Sequence, residues 1–160
     1  MEPEQAPEQA PERGPERPPA TAGRIAAWIA RQVEVGLSDS DLSLPQYRVL
    51  GLLAEGNALP SSMAHRLDVA RPSITAVVDG LVGRGLVVRT HAEDDRRQVT
   101  HGITPDGRAL LGAADNAVTD RLASIASCLD DESEAERAMA DLALWGKALI
   151  SFRREKAAAR

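Results

Sequence analysis

Small hydroxyl side chains and guanidinium groups, five of which are candidates for binding, lie between residues 61 and 75 of this chain. The five candidates are Ser61, Ser62, Arg71, Ser73 and Thr75. A hydroxyl both donates and accepts hydrogen bonds, and a guanidinium presents five donors that suit phosphate or a pair of acceptor atoms. These residue types therefore favour hydrogen bonding and anion binding over catalysis.

Catalytic, cofactor and metal chemistry have no matching pattern in the sequence. No glycine-rich phosphate loop, nucleophile motif or acid–base pair is visible. His65, His91 and His101 fall in three different predicted elements, without the spacing of a zinc site. Cys128 is the one cysteine, and its apolar neighbours predict a buried, inert thiol. We therefore expect a protein that is not an enzyme, uses no cofactor and binds no metal.

Four helices precede any strand in the pattern. The first covers 22–35, where apolar residues recur on one helical face. A capping box, Ser43-x-x-Gln46, begins the second, which ends near Gly56. The third covers 60–68, and the fourth runs over 71–83 after a very short turn. The apolar stripe of this fourth helix consists of Ile74, Val77, Val78 and Leu81.

A hairpin and two long helices complete the chain. Strands are predicted over 86–89 and 98–103, around a charged tip at 92–97. Thr104 is the predicted N-cap of a helix that reaches about Cys128. A second capping box, Ser133-x-x-Glu136, is predicted to begin the last helix, which ends near Arg154. The fold class is therefore mainly α, with a small two- or three-stranded antiparallel wing.

Two helices on a short turn, followed by a charged hairpin, are typical of a winged helix-turn-helix that binds DNA. The fourth helix would enter the major groove with its N-terminal residues forward. Arg71, Ser73 and Thr75 would then face base edges or phosphate, and the Ala76 methyl would fit against a thymine methyl. Ser61 and Ser62 are the predicted phosphate ligands of the third helix.

The terminal helices predict a homodimer. Residues 22–35 and 105–154 each present an apolar face that a module of about 60 residues cannot cover alone. On the last helix that face is formed by Met139, Leu142, Trp145, Leu149 and Phe152. A second copy of the chain is the simplest cover for these faces.

Length and composition limit the remaining possibilities. The 160 residues predict one domain, and the formal net charge of −5 argues mildly against non-specific coating of nucleic acid. Residues 1–20 form a Pro/Glu-rich segment with no large apolar residue after Met1, so we predict a disordered tail. No apolar run is long enough to cross a membrane and no secretory signal is visible, so we expect a cytoplasmic protein without a membrane partner.

Five pieces of the sequence together resemble the MarR family of bacterial transcriptional regulators. Each piece is weak alone, but their order and spacing are specific. They are Leu42-Ser-Leu-Pro-Gln-Tyr-Arg-Val-Leu50, Arg71-Pro-Ser-Ile-Thr75, Val78-Asp-Gly-Leu-Val-Gly-Arg-Gly-Leu-Val87, Asp94-Asp-Arg-Arg97 and Ile103-Thr-Pro-Asp-Gly107.

The resemblance implies a single domain over 21–160, with the winged helix-turn-helix at about 42–104 and dimerisation helices at about 22–36 and 105–154. It implies a homodimeric repressor that binds a pseudo-palindromic operator in the bacterial cytoplasm and is released by a small-molecule ligand. It also implies that Asp95 braces Arg97 for insertion into the minor groove, with Arg96 on a phosphate. The sequence departs from the family at three positions. Ala76 and Gly80 stand where such recognition helices often carry Arg or Lys, and Ala70 stands where they usually begin with Ser or Thr.

The ligand site and two other functions remain open from the sequence. By analogy with the family, Trp28, Gln32 and Tyr47 would line the space between the dimerisation helices and the winged domain, with Arg48 as an anion partner. The two aromatic residues also fit simple packing. The alternative functions are a winged-helix interaction or dimerisation module without specific DNA binding, and a cysteine-based redox-sensing regulator.

Overall fold

The computed structural model describes residues 21–91 and 99–158. The helices are α1 (Ala22–Gly36), α2 (Leu44–Ala54), α3 (Pro60–Leu67), α4 (Arg71–Gly83), α5 (Pro105–Ala126) and α6 (Glu132–Ala158). Two strands, β1 (Val87–His91) and β2 (Val99–Ile103), lie between α4 and α5. The predicted order of elements and the mainly helical class are confirmed. The predicted tail at 1–20 and hairpin tip at 92–97 lie outside the described residues, so the domain boundary stays a prediction.

Side-chain caps begin two of the helices as the sequence indicates. At α2, the Ser43 hydroxyl accepts from the Gln46 amide, and the Gln46 side chain accepts from the Ser43 amide at 3.0 Å. At α5, the Thr104 hydroxyl accepts from the amide of Gly107 at 3.0 Å and donates to the carbonyl of Gly85 at 2.9 Å. Thr104 therefore both caps α5 and joins it to the turn that follows α4.

The capping box predicted at Ser133 is wrong. Helix α6 begins at Glu132, and the carboxylate of Asp131 accepts from the Ser133 amide at 2.8 Å. The hydrogen bonds from Ser133 lower the pKa of the Asp131 carboxyl. A carboxylate is as good a cap as a hydroxyl and also complements the helix dipole, so the earlier acidic residue fixes the start of α6.

One apolar core lies between α2, α3, α4, the strands and the first half of α5. Its most deeply buried side chains are Val49, Leu50, Leu53, Met63, Val78 and Leu81. The predicted apolar stripe of α4 is confirmed, with Ile74 buried beside Val78 and Leu81 and with Val77 partly buried. By contrast, none of the described side chains of α6 is buried. The helix-turn-helix and the strands therefore share their core with α5, whereas the described part of α6 adds no buried side chain.

The strands pair in antiparallel register, from Val87 opposite Ile103 to His91 opposite Val99. A single bridge between Ala58 and His101 adds a third, very short segment to this sheet. The chain turns from α4 into β1 through Gly85, whose φ of 73° lies in the left-handed region that suits glycine. β1 begins one residue later and ends two residues later than the predicted strand over 86–89.

The prediction that Cys128 is buried is wrong, because its side chain is exposed. α5 ends at Ala126, two residues before the predicted end, and Cys128 lies in the turn toward α6. The neighbouring Ile125 and Leu129 are also exposed, so this end of α5 projects beyond the core. Within residues 21–91 and 99–158, no helix has the length and apolar content needed to span a membrane.

Candidate nucleic-acid interface

Helices α3 and α4 form the helix-turn-helix. Asp68 ends α3 in the left-handed conformation, with φ 55° and ψ 47°, which reverses the chain within the three residues before α4. The amide of Val69 then bonds the carbonyl of Ala64 at 3.1 Å. Pro72 occupies the first turn of α4, where its missing N–H leaves no helical bond unmade.

The outer face of α4 carries the polar residues predicted to contact DNA. Arg71, Ser73, Thr75 and Ala76 are all exposed, on the side opposite the buried stripe of the helix. The Thr75 hydroxyl donates to the carbonyl of Arg71 at 3.2 Å, so its oxygen lone pairs are left for an outside donor. Ser61 and Ser62 are also exposed, in the first turn of α3.

The N-terminus of α4 has no side-chain cap, because its N-cap residue is Ala70. An uncapped first turn leaves backbone N–H groups for an anion, and the helix dipole favours negative charge there. Arg71 adds a guanidinium at the same end of the helix. The missing hydroxyl at Ala70 therefore weakens the helix cap but leaves this end suited to phosphate.

An ion pair joins α4 to the wing. Arg89 of β1 donates to the carboxylate of Asp79 of α4 at 2.6 Å, and both side chains are about half exposed. An exposed pair of this kind adds little to stability, but it is a direct contact between α4 and β1. Asp95, Arg96 and Arg97 lie outside the described residues, although β1 and β2 lead directly into that segment.

A small cavity of about 340 Å³ lies between α4 and the wing, and His101 forms part of its wall. The imidazole is only 5% exposed, and its Nδ1 has no hydrogen-bond partner among the described residues. We did not predict a role for His101. The available signal was the alternation of β2, which puts His101 on the same strand face as Val99 and Ile103.

The four residues predicted to bind a ligand make different contacts in the structure. Trp28 is 69% exposed on α1. Gln32 accepts from Arg121 of α5 at 2.7 Å and 3.1 Å. The Tyr47 hydroxyl donates to the carboxylate of Asp115 at 2.6 Å, and burial, this bond and the carboxylate charge raise the pKa of Tyr47. These contacts join α1 and α2 to α5.

Arg48 lies elsewhere, on a cavity of about 730 Å³ between the helix-turn-helix and the end of α6. Its guanidinium donates to the carbonyl of Leu67 at 3.1 Å. The other walls are formed by Glu55, His65, Arg66, Leu67, Asp68, Leu149, Ile150, Phe152, Arg153 and Arg154. The volume is within the range of small-molecule sites, and arginines and apolar side chains share the lining.

Comparison with known proteins agrees with this architecture. The family model described as the MarR family matches residues 40–98. The HTH-type transcriptional regulator FarR of Neisseria gonorrhoeae is 31% identical over 97 residues, which are 60% of this chain and 66% of the relative. The HTH-type transcriptional repressor YetL of Bacillus subtilis is 30% identical over 101 residues, 61% of this chain and 59% of the relative. The aligned part thus spans less than two thirds of either curated relative.

A solved structure gives the same result for the fold. CouR from Rhodococcus jostii RHA1, bound to p-coumaroyl-CoA, is 26% identical, with a TM-score of 0.61 over 75% of this chain and 84% of that chain. The match thus extends beyond the winged part toward the terminal helices. Residues 40–98 thus match the MarR family, and the fold of the larger part of the chain is similar to that of CouR.

Proposed function

We propose that this chain is a sequence-specific DNA-binding transcriptional regulator, acting as a homodimeric repressor on a pseudo-palindromic operator. The observation that carries the proposal is the exposed row of Arg71, Ser73, Thr75 and Ala76 on a helix whose other face is held in the core. A recognition helix needs this combination, because its base contacts must be presented at a fixed position. The proposed role is regulatory and not enzymatic, and its place is the bacterial cytoplasm.

The comparisons support a regulatory role. FarR is named a transcriptional regulator and YetL a transcriptional repressor. Repression is therefore the sign of regulation that we propose. The bound p-coumaroyl-CoA of CouR supports control by a small molecule, and the cavity beside Arg48 is a place for one in this chain.

The exposed apolar residues of the terminal helices support the homodimer. Trp28 of α1 and Trp145 of α6 are each 69% exposed, and Leu149 and Phe152 continue the apolar surface of α6. A single chain in water rarely leaves so many large apolar side chains uncovered, and such a surface marks an interface. The partner that we propose for this surface is a second copy of the chain.

We predict that Trp145→Asp converts the dimer to a monomer, because a carboxylate in the apolar interface would lose its hydration. Sedimentation velocity at micromolar protein concentration gives the result directly. Lys147→Asp is the matched control, since it introduces the same side chain at an exposed polar position of the same helix. A wild-type monomer, or a dimer in the Trp145→Asp variant, would contradict the proposed assembly.

The function is tested by titrating fluorescent DNA with the purified protein and recording anisotropy. The probe is the DNA just upstream of the chain's own gene, measured at two salt concentrations beside an unrelated duplex of equal length. We expect tighter binding to the upstream DNA, weakening as salt rises, because phosphate contacts release counterions.

Equal and weak binding to both duplexes would favour the second candidate, a winged-helix interaction module without specific DNA binding. One observation favours this candidate: in α4 Arg71 is the single basic residue.

A further inference from the structure

His101 lies where the wing joins the rest of the winged domain. Its backbone amide donates to the carbonyl of Ala58 at 2.9 Å, and its carbonyl accepts from the Ala58 amide at 3.0 Å. These two bonds hold β2 against the segment that leads into α3. Only 5% of the residue is exposed. The backbone bridge to Ala58 and the buried imidazole therefore belong to the same residue of β2.

The imidazole is an unusual occupant of this position. A buried polar atom is nearly always hydrogen-bonded, yet Nδ1 of His101 has no partner within the described part of the chain. The neighbouring positions on the same strand face are Val99 and Ile103, both apolar. Burial alone already disfavours the charged imidazole and lowers the pKa of His101.

Among residues 21–91 and 99–158, two charged groups act on the imidazole, one from α4 and one from β1. Arg89 of β1 lowers the pKa of His101 further, whereas Asp79 of α4 acts in the opposite direction. Pro60, Thr75, Val78 and Val99 complete the cavity wall and carry no charge. α2 also packs against β2, but its nearby acid, Glu55 at the C-cap, is paired with Arg66.

We propose that His101 is a positioning residue: its neutral form holds the wing against the recognition helix, and its protonated form releases the wing. A neutral imidazole leaves Asp79 to Arg89, so the ion pair between α4 and β1 is undisturbed. A protonated imidazole adds a second cation to the cavity wall that Arg89 and the Asp79 carboxylate share. A charged imidazole that is buried and has no hydrogen-bond partner for Nδ1 among the described residues is unfavourable. Opening the bridge to Ala58 would let water reach the imidazole.

The direction of the pH dependence follows from linkage. In the unfolded or opened state the imidazole titrates near its ordinary pKa of about 6.5, whereas in the closed state its pKa is lower. The opened state therefore binds more protons as the pH falls below about 6.5, and the closed wing is favoured at neutral pH and above. Between pH 7.5 and pH 5.5 the wing is expected to open up to about tenfold more often.

Opening of the wing would also change the affinity for DNA, an expectation that rests on the proposed DNA-binding function. The recognition helix and the wing contact adjacent grooves, so a released wing weakens the complex. We therefore expect the affinity for DNA to fall at acid pH. Opening of the wing is measured without DNA, so its result is independent of whether the chain binds an operator.

The test is hydrogen exchange of the amides in β1 and β2 at pH 7.5 and pH 5.5, expressed as protection factors to remove the intrinsic pH dependence of exchange. The wild type is compared with His101→Leu, which cannot titrate, and with His65→Gln, which removes an exposed histidine of α3. We expect an acid-induced loss of protection in the wild type and in His65→Gln, and none in His101→Leu. An equal loss in all three proteins would overturn the proposal.

A second measurement covers the case in which His101→Leu does not fold. The imidazole of His101 in the wild-type protein is titrated by NMR. A midpoint below the ordinary value is the expected result, and one at or above it would overturn the proposal. Acid-induced loss of protection without any DNA binding would refute the proposed function but leave the role of His101 in the wing intact.

Discussion

The variant Gly107→Ala is expected to lose about 3 kcal/mol of its free energy of unfolding. A Cβ built at Gly107 would overlap the carbonyl oxygen of Leu86 and lie 2.9 Å from Cγ1 of Ile103. That carbonyl accepts from the amide of Thr104 at 3.1 Å, and the Thr104 hydroxyl caps α5. Because the obstacle is backbone and not the end of a flexible side chain, the start of α5 would have to move away from the wing.

Gly112→Ala is the matched control, since it makes the same change on the same helix. A Cβ at Gly112 meets no atom within 4 Å, so alanine there should stabilise α5 by up to about 1 kcal/mol. Urea unfolding followed by circular dichroism measures both variants. Similar stabilities for the two variants would show that the close packing of α5 on the turn before β1 is not a feature of the protein.

The variant Arg71→Glu is expected to lose at least about 100-fold in affinity for specific DNA. Arg71 is exposed in the first turn of α4, where a guanidinium would face phosphate or guanine. Charge reversal removes that contact and repels the DNA, and in a dimer it acts at both half-sites. Glutamate in the first turn complements the helix dipole, so the helix itself should remain stable.

Arg137→Glu is the control for net charge. Arg137 lies on α6, outside the winged part, and is 70% exposed beside Glu134. The same charge reversal there should change the affinity much less than at Arg71. Anisotropy titration of both variants with one duplex measures the difference. Equal losses would mean that the DNA responds to the total charge of the protein, and the assignment of α4 as the recognition helix would then be wrong.

Local patterns made much of the winged domain predictable. The capping box at Ser43, the proline in the first turn of α4 and the apolar period of that helix are all set by residues within a few positions of one another. Such patterns predict the folded structure well because they describe contacts between residues that are close in the sequence. The helix-turn-helix and the exposed polar row on α4 follow from them.

Contacts between distant residues could not be predicted in the same way. Tyr47 bonds Asp115, which is 68 positions away, and Gln32 bonds Arg121, which is 89 positions away. Both bonds depend on the angle at which α5 crosses α1 and α2, and no local pattern encodes that angle. Gln32 and Tyr47 thus hold helices together, whereas Arg48 lies on a cavity beside the end of α6.

The exposure of residues at the helix ends could not be predicted from a local sequence pattern either. Cys128 sits among apolar neighbours in the sequence, which normally indicates burial, but α5 projects past the core before reaching it. An apolar neighbourhood predicts that a surface will be covered, not which molecule covers it. On the terminal helices the proposed cover is the partner subunit.

Selection of binding sites from a pool of random duplexes tests the central claim, because it does not require the operator to be known. The purified wild-type protein is taken through successive rounds of binding and amplification, with Arg71→Glu in parallel. We predict enrichment of a pseudo-palindromic sequence whose half-sites are centred about one helical turn apart, near 10 base pairs, and no enrichment by the variant. Recovery of unpatterned sequences by the wild type would contradict the account of this chain as a sequence-specific regulator.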